Sequence, residues 1–134
     1  MKVLKLINDE LLEEEIESIT LKYMQSVVGG YIEAPYICDE LSNSNIDVII
    51  NEEGKILDLP VTILLTKDYD EVIDTIQGNV LFCSHDEEGE NIGLTNDQIQ
   101  VIHNLFINES GLEGYRVDKA TGKEVVIRTI EVGD

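Results

Sequence analysis

The stretch Leu21–Glu33, reading LKYMQSVVGGYIE, limits what this chain can fold into more than any other. Thr20 can cap a helix that opens at Leu21. Leu21, Met24 and Val28 recur at i, i+3 and i+7 with Val27 beside them, which gives that helix one apolar face. Gly29 is placed to take the left-handed conformation that closes a helix, and Gly30 lets the backbone pass close to a neighbour. Tyr31 to Cys38 is then strand-like. Pro35 lacks a donor, so this strand is expected to be an edge or to break there. A helix stopped by two glycines and fed straight into a strand implies mixed α and β structure, and the other elements can be arranged as its partners.

Along the rest of the chain, Met1 to Ile7 alternates weakly and predicts a first strand. Asn8 to Glu17 reads as a loop or frayed helix with Glu13, Glu14 and Glu15 on a solvated face, and Ile16 and Ile19 suggest a short second strand. Asp39 to Asn45 is polar and predicts a loop. Ile46–Ile50 and Lys55–Leu57 flank Asn51-Glu52-Glu53-Gly54 and predict a hairpin. Val61 to Leu65 is a short apolar run. From Asp68 the pattern predicts a helix, with Val72, Ile73 and Ile76 inward and Gly78 as its stop. Val80 to Cys83 predicts a buried central strand. Thr95-Asn96-Asp97-Gln98 is a capping box opening a helix with Ile99, Ile102, Leu105 and Phe106 on one face. Tyr115 to Val132 predicts a hairpin turning at Ala120–Lys123, with Gly111 and Gly114 loosening the chain before it.

The expected fold class is therefore α+β: a mostly antiparallel sheet of about five or six strands with two or three packed helices, plus a C-terminal β-hairpin. No linker divides it. Residues 1–114 form the core domain, and 115–134 are a hairpin extension of it. With 134 residues the chain can bury a real core, and with no Trp and two Phe that core must be Ile, Leu and Val. No apolar run approaches the roughly 20 residues of a membrane span, and the N-terminus has no signal-peptide pattern, so a cytoplasmic location is expected. Cys38 and Cys83 are far apart and predict buried thiols.

Charge says most about partners. The chain holds 28 Asp and Glu against 9 Lys and Arg, for a net charge of −19. Residues 1–114 carry 24 acidic and 5 basic side chains, whereas 115–134 carry 4 of each. So acidic a body repels nucleic acid and anionic membranes, so neither is expected as a direct partner; a large partner should be basic. Solubility alone also accounts for such a charge in many proteins.

Reactive constellations are thin. An EF-hand with Gly89 at its sixth position would need Glu where Thr95 stands, so no metal site is assigned. Cys83 and His85 share a strand face, yet His103 and Cys38 are their only counterparts, too few for zinc or a triad. His103 sits beside the apolar stripe of its helix, as a boundary residue does. Thr121-Gly122-Lys123 lacks the earlier glycine of a phosphate loop, since Val117 stands there. No catalytic residues and no cofactor are expected, and the chain is read as a non-enzyme.

The Val-Val-Gly-Gly-Tyr-Ile-Glu word at 27–33, Asn51–Leu57, Leu59-Pro60, the strand ending at Cys83, the Asp86–Gly89 loop and Leu94-Thr95 together resemble a family of small proteins of unknown function. The resemblance covers about residues 1–107. That family is carried mainly by bacteriophages, plasmids and conjugative elements and has no accepted catalytic residues. This chain departs from it at Val61-Thr62, where members usually carry Asn, and in the 115–132 hairpin. The resemblance implies an accessory protein working in a bacterial host cell. Combined with the charge, it leads to an expected counter-defence inhibitor that binds a basic host protein, such as a nuclease or CRISPR effector. Glu52, Glu53, Asp86, Glu87, Glu88 and Glu90 would be the contact residues, imitating nucleic acid charge. The alternative is a sponge for a nucleotide signal. In it Gly29, Gly30 and Asn51 supply donors and Tyr23 or Tyr31 stacks on a base, while Arg116, Lys119, Lys123 and Arg128 add charge across a homodimer.

Overall fold

A computed structural model describes residues 1–68, 71–107, 114–118 and 120–133, with backbone only for 107, 114–116 and 133. The first strand, β1 (Lys2–Ile7), turns through Asn8-Asp9 into β2 (Glu10–Glu15), with Ile7 opposite Glu10. Asn8 takes φ +56°, a left-handed conformation that Asn tolerates in tight turns. The segment expected to be a loop or frayed helix is thus the second arm of a hairpin, and Ile16 and Ile19 lie outside any strand. The Glu13–Glu15 run sits on an edge strand, where charge hinders pairing with another chain.

The central helix forms as its ends dictate. In α1 (Leu21–Val28), Thr20 Oγ1 accepts from the Tyr23 amide at 3.0 Å. Gly29 at φ +82° closes the helix by donating to the Gln25 carbonyl at 2.8 Å. Met24, Val27 and Val28 are buried, but Leu21, expected on the same face, is exposed in the first turn. After the glycines, β3 (Ile32–Glu33) pairs with Asn51 and Ile50 at the end of β4 (Ile46–Asn51). Residues 34–38 then leave the ladder, as a proline within the run requires. The polar segment expected as a loop contains a short helix, α2 (Asp39–Asn43), which buries Leu41.

Two further expectations are overturned. Lys55–Leu57 is not a hairpin arm: β3 already occupies the edge of β4 where that arm would begin, and Glu52–Asp58 coils into turns instead. Residues 71–77 do not form the helix expected from Asp68 either, and 69–70 lie outside the described residues. β5 (Val61–Lys67) pairs antiparallel with β6 (Glu71–Gln77), which leaves Val72 and Ile73 exposed and Ile76 buried. The β-branched side chains of β6 favour a pleated strand over a helix. Gly78 at φ +94° then turns the chain into β7 (Val80–His85), the buried central strand expected from Val80–Cys83. A short β8 (Asn91–Ile92) follows, then α3 (Asn96–Ile107), whose capping box is formed: Gln98 N donates to Thr95 Oγ1 and Thr95 N to Gln98 Oε1.

The result is α+β. A six-stranded sheet runs β2-β1-β7-β4-β3 with β8 on β7. A second, four-stranded sheet, β6-β5-β10-β9, was not foreseen. It contains the expected C-terminal hairpin, β9 (Gly114–Val117) and β10 (Glu124–Gly133). That hairpin is built in rather than appended: β10 pairs parallel with β5 and buries Ile130. Strand alternation gives the first sheet two apolar faces. Val3, Ile49, Leu81 and Cys83 pack under α1. Leu4, Leu6, Val48, Val80 and Phe82 meet Ile63, Leu65, Ile76 and Ile130 of the second sheet, with Ile102 and Phe106 of α3. Phe82 and Phe106 meet edge to face at 6.3 Å. Among the described residues no helix is long and apolar enough to cross a membrane.

Candidate functional site

The two acidic words expected to act together are held apart by the ladder between β4 and β7. Ile46 pairs with Ser84 and Ile49 with Leu81, antiparallel. Glu52 and Glu53 therefore follow one end of β4, while Asp86 to Glu90 follow the end of β7 beside the start of β4. The length of β4 separates them, about 17 Å at the ~3.3 Å rise of a strand. They therefore stand at opposite ends of β4.

Within the turn after β7, the carboxylates differ in role. Asp86 Oδ1 accepts from the amides of Glu88 at 2.9 Å and Glu90 at 3.0 Å, so this carboxylate builds the turn. Glu87, Glu88 and Glu90 are exposed. In the turn after β4, Glu52 is exposed and Glu53 half-buried.

The residues of the alternative site are already engaged with the fold. Asn51 is buried, and its Nδ2 donates to the Val28 carbonyl at 3.1 Å while its Oδ1 accepts from the Glu53 amide at 2.8 Å. The amides of Gly29 and Gly30 both donate to the Gln25 carbonyl. Tyr23 donates its hydroxyl to Glu14 at 2.5 Å. Burial, and then that carboxylate, raise the Tyr23 phenol above its usual range. The Glu14 carboxyl is held low by the Tyr23 hydroxyl and by Lys5 at 2.9 Å. Tyr31 alone of this group presents an open ring, 66% exposed. In the tail, Arg128 points inward: it donates to the Asp9 carbonyl at 2.7 Å and lies over the Phe106 ring at 5.3 Å. Lys123 is exposed; Lys119 and the Arg116 side chain lie outside the described residues.

Cys83 and His85 do share a face, with Asp47 of β4 directly opposite Cys83 in the ladder. His85 Nδ1 lies 3.0 Å from both Asp47 carboxylate oxygens, an arrangement that orients the ring. The Cys83 thiol is fully buried, and burial followed by the Asp47 charge pushes it up to about 12. Burial likewise pushes Cys38 up to about 11. Neither thiol is a ready nucleophile at neutral pH. His103 is half-buried on α3.

Two clefts flank the 34–38 segment. One, of about 220 Å³, lies between Pro35–Cys38, Leu41 and the Asp47–His85 pair. The other, of about 200 Å³, lies between Tyr36, Ile56 and the Asp74–Gln77 stretch of β6. This second cleft is hidden from sequence reasoning, because Ile56 reads as a strand residue and β6 as a helix. Ile56 is instead 82% exposed and Tyr36 67% exposed. Tyr36 donates to Asp39, which pushes its phenol up to about 12.

Comparison with known families places residues 1–107 in the family described as Domain of unknown function (DUF3846), and the chain belongs to it. No curated protein and no solved structure matches the chain.

Proposed function

We propose that this member of a family of unknown function is a non-enzymatic accessory protein of a mobile genetic element such as a phage or plasmid. It inhibits a basic host defence protein by presenting carboxylates in place of nucleic acid phosphates. The observation that carries the reading is the concentration of charge: 24 acidic against 5 basic side chains in residues 1–114. Exposed glutamates stand on the β2 edge and on both turns at the ends of β4. A field of that sign speeds encounter with a basic surface and repels nucleic acid itself. The raised thiols and the engaged Asn51 and glycine donors favour a binding role over a catalytic or nucleotide-holding one.

The test is equilibrium binding to purified nucleases and CRISPR effectors between 50 and 500 mM salt. At least one should bind, with affinity falling steeply as salt rises. Charge reversal in the pairs E52K/E53K or E87K/E88K should weaken that binding. Affinity indifferent to salt and to both reversals rules out the electrostatic mechanism.

A further inference from the structure

Charge does not distinguish the two acidic ends of β4; apolar exposure does. The Asp86–Glu90 turn contains no apolar side chain, and the shallow depression beside it is lined by Asn45, His85, Asp86, Glu87 and Gly89. Around the other turn, Ile56 is 82%, Tyr36 67%, Tyr31 66% and Leu57 55% exposed. Tyr31 is tied to this end because its carbonyl accepts from the Glu52 amide at 2.9 Å. Tight protein interfaces draw their energy from aromatic and aliphatic anchors, whereas rim charges steer and select.

The turn is held in place. Leu57 N donates to the Glu53 carbonyl at 2.8 Å and Leu59 N to the Gly54 carbonyl at 2.9 Å. Gly54 packs so closely on β6 that a Cβ there would stand 2.7 Å from the Gln77 carbonyl oxygen. Lys55 is paired with Asp74 across the same cleft. Ile56 is thus displayed on a rigid support, which lowers the ordering cost of binding.

Resting on the function proposed above, we infer that the Glu52–Asp58 turn with Tyr36 is the docking surface. Its occupant is a basic polypeptide segment carrying one apolar side chain between Lys or Arg residues. The apolar side chain enters the cleft between Tyr36 and Ile56, and the cations face Glu33 and Glu52, which line it. The same carboxylates disfavour a second copy of this chain, because like charges would be brought together. They exclude nucleic acid and anionic lipid for the same reason.

The experiment titrates the ¹⁵N-labelled full chain with two synthetic heptapeptides of equal charge, Gly-Arg-Lys-Leu-Arg-Lys-Gly and its Leu→Ser form. The Leu peptide should bind at least ~10-fold more tightly, from burial of one aliphatic side chain. Amide shifts should centre on Tyr31, Tyr36 and Ile56. Ile56→Ser, at an exposed position, should erase that difference, bringing the Leu peptide's affinity down to that of the Ser peptide. Equal binding of both peptides that still weakens with salt overturns this inference alone. So do shifts centred on Glu87 and Glu88, or self-association in sedimentation that Ile56→Ser abolishes. Failure of both peptides to bind at low salt removes the electrostatic reading as well.

Discussion

Gly30→Ala should destabilise the protein while Asn51 is present and stabilise it slightly once Asn51 is gone. Gly30 does not hold a positive φ, so its backbone accepts alanine. The obstacle is steric: a Cβ at Gly30 would lie 3.1 Å from Asn51 Nδ2 and 3.7 Å from its Cγ. The Asn51 amide cannot easily retreat, being held by the Val28 carbonyl on one side and the Glu53 amide on the other. Overpacking of this kind costs about 1–2 kcal/mol. Asn51→Ala strips a buried carbonyl and an amide of their partner and should cost about 2–3 kcal/mol. In that background the clash disappears, and the alanine gains roughly 0.4–1 kcal/mol by restricting the unfolded chain. The coupling in the double-mutant cycle is then about 1.5–3 kcal/mol. Urea denaturation followed by circular dichroism measures it, provided the m-value stays constant across the four proteins. Additivity within ~0.5 kcal/mol refutes the claim that Asn51 locks the helix end to the strand pair.

Four further outcomes are expected. Ile130→Ala should cost about 3–4 kcal/mol, because the side chain is 1% exposed in the core that joins the two sheets; thermal and urea unfolding read this directly. Stability should decline as pH rises above 9 toward 11–12. The folded chain holds the Cys38 and Cys83 protons more tightly than an unfolded thiol with its usual value of 9.0. The same burial should keep both thiols silent to Ellman's reagent at pH 8 until urea is added. Raising NaCl from 50 to 500 mM should raise Tm by about 3–5 °C, because screening relieves repulsion within a body of net charge −19; a flat or falling Tm counts against net self-repulsion.

What was legible in the sequence was local. Thr20, Gly29 and the Thr95–Gln98 box name their own ends of helices, because a cap and its partner lie within four residues. Val80–Cys83 reads as central because only a strand covered on both faces is so uniformly apolar. Errors arose where two periods fit the same residues. Val72, Ile73 and Ile76 satisfy a helical stripe as well as a half-buried strand, and pairing with β5 decided the matter. Ile56 and Leu57 looked like a hairpin arm until β3 took the edge.

The acidity, the helix that stops at Gly29 and the α+β class were fixed by the order of residues alone, since each depends on composition or on neighbours a few positions away. Folding in three dimensions decided the rest. It sent Asn51 to the Val28 carbonyl 23 residues earlier, carried Arg128 to Asp9, and set the two acidic turns at opposite ends of β4. It also left Ile56 in the open beside Tyr36. Such outcomes depend on which strand edges are already filled and which side chains reach across the core, and no window along the chain contains that information.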